Sequence, residues 1–282
     1  MTGFVSYGSI LDPLSWGSGA PGDGNAYAGG GVVKLVVGGT LANDGIIASR
    51  GFGYALEGFG SGSGGSVNIT AGALAGSGAI DANGGNNGLL GPGSGGRVKV
   101  ALTGANASFA GFSGTIEAIG GSMQNQTQAD SRDISPAAAG TVCLSTAADT
   151  APTVRVHNEF HYGNGPATWR VATDPDAAPS GTHLPAMQDA DAPAGLRHSR
   201  WELSGHGALR LTQNVRILSL SLANDNGSQC VYTDGHELFV KELTIAGTTK
   251  RSGRYTAADL PNVIVGTGAV VVDVMPTVLF VR

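Results

Sequence analysis

The sequence predicts an all-β fold, specifically a parallel β-helix (β-solenoid) with glycine-rich turns and a loop-rich insertion. Three observations carry this. One pattern, G-G-x-V-x-V/I/L and later G-x-I-x-A/S-x-G, occurs three times between residues 30 and 121. Its equivalent isoleucines, Ile47, Ile80 and Ile116, are 33 and 36 residues apart, the spacing of a stacked array whose units bury their apolar face only against neighbours. Glycine accounts for 47 of 282 residues, and it punctuates alternating Val/Ile/Leu segments rather than following a collagen-like G-X-Y period. No stretch keeps the i, i+3, i+4, i+7 apolar spacing of a helix over three turns.

Residues 1–28 read as an extended, turn-rich segment (Tyr7-Gly8, Trp16-Gly17-Ser18-Gly19, Pro21-Gly22-Asp23-Gly24) that leads into the repeats or folds over them as a cap. Residues 29–152 form the glycine-rich repeats. The first has Gly30, Gly31, Val33, Leu35 and Ile47; the second has Gly64, Gly65, Val67, Ile69 and Ile80; the third has Gly95, Gly96, Val98, Val100 and Ile116. Val-x-Val alternation turns one set inward and the intervening residues outward. The glycine doublets are expected in equivalent turns, some at positive φ, where a side chain would clash. A polar excursion over 122–152 contains the strand-like Thr141-Val142-Cys143-Leu144. Residues 153–208, rich in proline and holding five of the six histidines, read as a loop-rich insertion between short strands. Over 209–282 a shorter period returns: Val215-x-Ile217-x-x-Leu220-x-Leu222 recurs 23 residues later as Leu238-x-Val240-x-x-Leu243-x-Ile245. Such a period suits single rungs, with the x-x as a corner.

The composition excludes several classes. Net charge is −5 with 13% charged residues and no basic stripe, which argues against nucleic acid as a partner. No apolar run approaches the length of a transmembrane helix. Cys143 and Cys230 are the only cysteines, read either as one disulfide or as two buried thiols. Low charge and abundant Gly, Ser, Thr and Asn point to a secreted or cell-surface location, the chain being a mature segment or fragment without its export signal.

The chain resembles large secreted, glycine-rich repeat proteins of environmental bacteria that are similar to autotransporter passenger domains. The resemblance rests on Tyr7-Gly8, Gly64-Gly65-Ser66-Val67, the stretch from Gly78 to Gly85, Gly95-Gly96-Arg97-Val98, the closing stretch Leu238-x-Val240-x-x-Leu243-Thr244-Ile245-x-Gly247, and Arg254–Pro261 with Gly266-Thr267-Gly268. It implies a β-helical surface protein associated with polysaccharides or cell-surface glycans. Members are usually much longer, so further β-solenoid rungs of a longer parent chain are among the partners it implies.

Stacking aligns equivalent residues in columns. One outward column reads Lys34, Asn68, Lys99, beside Val32, Ser66, Arg97; another reads Ala48, Asp81, Glu117. Neighbouring strands lie about 4.8 Å apart, which puts Asp81 and Glu117 near the carboxylate separation of a retaining glycosidase, or in reach of one Ca2+. The plain alternative, solvated surface carboxylates, is the one this sequence favours. Lys34, Arg97 and Lys99 are candidate ligand-binding cations, and Arg97 or Lys99 could act as the base of a lyase on an acidic polysaccharide; solubilising surface charge is the simpler reading. His157 and His161 share a strand face about 13 Å apart, and with His198 they are candidates for acid/base or metal roles if the chain converges there. Polar loop histidines are the plain alternative. No serine has the strand-to-helix setting of a nucleophile elbow.

The leading expectation is therefore an extracellular structural, adhesive or glycan-contacting module. The alternative is a polysaccharide lyase or glycoside hydrolase. Its site would lie where residues 153–207 cross the outward columns, with His157, His161, His198, Asp81 and Glu117 as its groups.

Overall fold

The computed structural model describes residues 8–20, 27–53, 60–86, 91–122, 137–159, 161–162, 165–166, 182–184, 193–224 and 229–273. They are all-β, in several mostly parallel sheets, with one short helix, α1 (Pro193–Leu196), and one 3-10 turn (Phe109–Gly111). The main sheet has nine strands in the order β1 (Val32–Ala42), β3 (Ser66–Ala75), β5 (Arg97–Leu102), β7 (Thr141–Thr146), β8 (Thr153–Asn158), β12 (Arg200–Gly205), β15 (Ser219–Leu222), β18 (Glu242–Ile245) and β19 (Thr248–Thr249). All pairings are parallel except β7 with β8 and β18 with β19.

The amino-terminal half packs the main sheet against a three-stranded parallel sheet of β2 (Ile46–Ala48), β4 (Ala79–Asp81) and β6 (Thr115–Glu117). Val33, Val67 and Val98 share one register, and so do Ile47, Ile80 and Ile116. The core between the sheets holds Val67, Ile69, Val98, Val100 and Ile80, all with no exposed surface. The turn from one sheet to the other is made by Asn43, whose Oδ1 accepts from Gly45 N–H at 3.2 Å while its Nδ2 donates to Ala79 O at 3.1 Å.

The glycine doublets serve a purpose other than the expected one. None of Gly64, Gly65, Gly95 and Gly96 has a positive φ. What forbids a side chain is backbone contact: a Cβ on Gly65 would lie 2.0 Å from Gly31 O, on Gly96 2.1 Å from Gly65 O, and on Gly140 1.8 Å from Gly96 O. A Cβ on the companion Gly64 would likewise lie 1.9 Å from Ala82 O and one on Gly95 2.2 Å from Ala118 O, and Gly65, Gly96 and Gly140 donate their N–H groups to the carbonyls of Ser49, Ala82 and Ala118. The two sheets are thus laced backbone to backbone just ahead of β3, β5 and β7.

At β7 the inside and outside of the main sheet exchange. Val142 and Leu144 continue the column of Val98 and Val100 into the first core, whereas Cys143 faces the second. Antiparallel pairing then sets Val154 beside Cys143 and Arg155 beside Val142. From β8 onward the face carrying Val154, Val156, Trp201, Leu203, Leu220 and Leu222 lines the second core. Two further sheets close that core. One orders β11 (Thr182–Leu184), β13 (Ala208–Leu211), β16 (Cys230–Tyr232) and β21 (Ile264–Val265); the other orders β14 (Val215–Arg216), β17 (Glu237–Val240), β22 (Ala269–Val272) and β20 (Gly253–Tyr255). A separate two-stranded ribbon pairs β9 (His161–Tyr162) with β10 (Gly165–Pro166). Asn158, buried at the end of β8, joins the halves by accepting from Gly120 N–H and donating to Ala137 O, each at 2.9 Å.

Two expectations about segments meet these observations. Residues 153–208, read as a loop-rich insertion, supply β8 and β12 to the middle of the main sheet; their alternating stretches of six residues are short enough to hide among prolines and polar residues. Residues 8–20 lie across the sheet face that passes from outside to inside. Ile10 is fully buried in the second core, Ser66 Oγ donates to Ser15 O at 2.7 Å, and Asn68 Nδ2 donates to Asp12 Oδ1 at 2.8 Å.

The glycine contacts make a sharp prediction. Gly96→Ala should destabilise the protein by about 3 kcal/mol or more, because rigid backbone on the facing strand must move. Gly38→Ala, where an added Cβ meets nothing within 4 Å, should be neutral or slightly stabilising. Denaturant midpoints of the two variants check this directly.

Candidate functional site

The exchange of faces creates a cleft. The second wall of the first core ends at β6, but the main sheet runs on through β8, β12 and β15. On those strands the face that was core now carries Arg155, His157, Glu202, Ser204 and Ser221. With Ile116 and Glu117 on the β6 side and Val142 on the floor, they line a cleft of about 480 Å³.

Within it, His157 Nδ1 lies 2.9 Å from Ser204 Oγ and Nε2 lies 3.5 Å from Glu159 Oε1. Arg155 pairs with Glu202 at 3.1 Å, with both side chains about half exposed, so this pair contributes little to stability. Glu117 is half-buried and its Oε1 accepts from Asn83 Nδ2 at 2.8 Å. Two of the five acid/base candidates, Glu117 and His157, therefore share one cleft.

The others are placed differently. Ala48, Asp81 and Glu117 do stand in one register, but Asp81 does not face solvent. Its side chain has 0% exposure and takes both Nε and an Nη of Arg50, at 2.7 and 2.6 Å. That bidentate pair raises the Arg50 guanidinium above its ordinary range and occupies both carboxylate oxygens. Asp81 is thus not the solvent-facing carboxylate that its register with Glu117 suggests; among the described residues no three His, Cys, Asp or Glu side chains cluster as metal ligands. His198 sits exposed on the turn after α1 and does not line the cleft. His161 is in the β9–β10 ribbon, and its side chain lies outside the described residues.

The candidate cations also diverge. Lys34 is exposed on β1, in register with Asn68 and Lys99. Lys99 lies 3.8 Å from Asp12 of the covering segment. Arg97, expected outward, is buried under that segment and donates to Thr141 Oγ1 at 3.0 Å. The reason is the same for both: residues 8–20 occupy the sheet face on which these side chains stand. Cys143 and Cys230 are not joined as a disulfide, and both are buried. Among the described residues no helix is long and apolar enough to cross a membrane.

A second concavity, of about 750 Å³, runs along the glycine doublets. Its walls are Gly60, Gly64, Gly65 and the stretch Gly91–Arg97, together with Ser15, Ser18 and Ser63. Trp16 stands at this groove with 74% of its surface exposed. No residue-type motif announces Trp16; only the fold brings a lone indole beside a floor with almost no side chains. No family model matches this chain, and no curated protein or solved structure matches it either.

Arg50→Ala would leave the Asp81 carboxylate buried without its counter-charge and should cost about 3 kcal/mol, measured by chemical denaturation. Burial pushes the Cys230 thiol up to about 11, against 9.0 for an unperturbed one. A pKa raised by folding leaves stability intact below pH 9 and erodes it as pH climbs toward 11. Near pH 8 a thiol reagent should label neither buried cysteine in the native protein and both after unfolding, Cys230 being protected also by its raised pKa.

Proposed function

We propose that this chain is a glycan-contacting β-solenoid module of the cell exterior, in which the two halves are short parallel coils sharing one sheet. The in-register parallel ladders from β1 to β7 and from β8 to β18 support the solenoid reading. The observation that carries the functional reading is Trp16 beside the glycine–serine groove. A pyranose has apolar C–H faces and a polar rim. An exposed indole offers a flat apolar surface to the face, while hydroxyls and peptide groups in a floor free of bulky side chains meet the rim. Low charge in the chain suits a neutral ligand reached through contact rather than electrostatic steering.

A second reading, a polysaccharide lyase or glycoside hydrolase, is favoured by one specific observation: Glu117 and His157 line the same cleft. A carboxyl group and an imidazole on facing walls are the equipment of general acid/base chemistry on a sugar chain. The two readings use different concavities and separate cleanly.

Affinity electrophoresis against a panel of neutral and acidic polysaccharides, followed by product analysis, tests both. Under the binding reading Trp16→Ala weakens retention about tenfold, equivalent to ~1.4 kcal/mol, and no products appear. Under the enzymatic reading Glu117→Gln and His157→Asn abolish product release and Trp16→Ala does not. Retention unchanged by Trp16→Ala would overturn the glycan-groove assignment.

A further inference from the structure

β8 and β12 end side by side, and their last cleft-facing side chains form a constellation that neither reading above uses as a unit. His157 and Ser204 are register partners, with Nδ1 and Oγ 2.9 Å apart, and Glu159 Oε1 lies 3.5 Å from Nε2 of the same ring. All three line the cleft. A neutral imidazole donates from one nitrogen and accepts at the other. With Nε2–H given to the Glu159 carboxylate, Nδ1 is the acceptor and receives the Ser204 hydroxyl. A hydroxyl held by an imidazole that a carboxylate orients is an activated nucleophile. That arrangement is recognised by geometry and roles, not by fold or chain order.

The backbone fixes both groups. Ser204 carries the last side chain of β12, because Gly205 follows at φ +57° and Ser204 O accepts from Gly207 N–H at 2.9 Å. A Cβ on Gly205 would stand 2.8 Å from Cε1 and 3.0 Å from Nδ1 of His157, so glycine leaves the room that the ring occupies beside Ser204. His157 precedes Asn158, whose buried side chain is tied to Gly120 and Ala137. Arg155 stands two residues before His157 on the same face, one diagonal from Ser204. Its Nε donates to Glu202, and neither Nη has a partner among the described residues. Those donors suit an oxygen that gains negative charge. Ile116 and Ala223 give the cleft apolar surface for a short acyl chain.

We infer that this cleft is a serine esterase site for small acyl esters, with Ser204 the nucleophile, His157 the base and Glu159 a positioning residue. Ser204 Oγ attacks the carbonyl carbon while His157 Nδ1 takes the hydroxyl proton. The bond to the alcohol oxygen then breaks, and that oxygen leaves with the proton from His157. Water attacks the acyl-serine in turn and gives its proton to His157. The acyl–Oγ bond breaks, the proton returns to Oγ, and the carboxylic acid departs. The bond broken is an ester rather than a glycosidic one, so the assignment rests on neither reading above.

A biotinylated fluorophosphonate and p-nitrophenyl acetate test this on the full chain, and neither contains a sugar, so the outcome is independent of glycan binding. The fluorophosphonate forms an Oγ–P bond and releases fluoride and the hydroxyl proton; peptide mapping should find the adduct on Ser204. Ser204→Ala should lose both the adduct and acetate release. His157→Gln keeps the serine and should slow both about a hundredfold, as loss of a general base does, and it decides the matter if Ser204→Ala does not fold. Glu159→Gln should lower kcat for the acetate and leave KM unchanged. Thermal transitions matching the wild type confirm that the variants are folded. No adduct on Ser204, undiminished acetate release in folded Ser204→Ala, or wild-type labelling of His157→Gln would each overturn the site, and an unchanged kcat in Glu159→Gln would overturn the part given to Glu159.

Discussion

Everything distinctive in this molecule depends on the antiparallel pairing of β7 with β8. In a sheet whose other core-forming strands run parallel, one reversed neighbour puts Arg155 beside Val142 and Val154 beside Cys143. Side chains alternate with period two, so reversing a strand with this register transfers the whole apolar set of β8 to the opposite face. One sheet therefore serves two cores, one on each side. The join is held by side chains as well as by the ladder: Asn158 bridges Gly120 and Ala137, and Thr182 Oγ1 donates to Ala139 O at 2.6 Å.

A sheet that changes sides leaves each core open at the junction, and the two openings are treated differently. The second core is closed by residues 8–20, whose Ile10 fills it and whose Asp12 answers Asn68 and Lys99 on the neighbouring strands. Placing Ile10 there removes a large apolar side chain from water and shields the buried Arg97. The first core is left with a gap beyond β6, floored by Val142 and edged by polar side chains from β8, β12 and β15. Cap and cleft are thus two consequences of one reversal, and both readings of function rest on surfaces that this geometry shapes.

Glycine plays a packing part more than a conformational one. Parallel chains that touch backbone to backbone need residues without Cβ at each contact, and Gly65, Gly96 and Gly140 supply them, with carbonyl oxygens about 2 Å from where each added Cβ would stand. The arrangement exchanges side-chain burial for backbone hydrogen bonds between the two sheets. It also produces the smooth groove beside Trp16, since a floor of glycine leaves room that larger residues would fill.

Much of this was legible in the residues themselves. Val-x-Val alternation and the recurrence of Ile47, Ile80 and Ile116 determined which side chains face the first core and which stand in register, because period and spacing are properties of the chain alone. The same spacing placed Asp81 beside Glu117, yet it could not reveal Arg50, 31 residues earlier, drawing Asp81 into a buried ion pair. Nor could it show that His157 and Glu117 would line one cleft, since they lie on different sheets and share it only after β8 reverses. Alternation says that a strand has two unlike faces. Which face becomes the inside depends on the strand's direction against its neighbour and on what covers each side, and only the tertiary structure decides that.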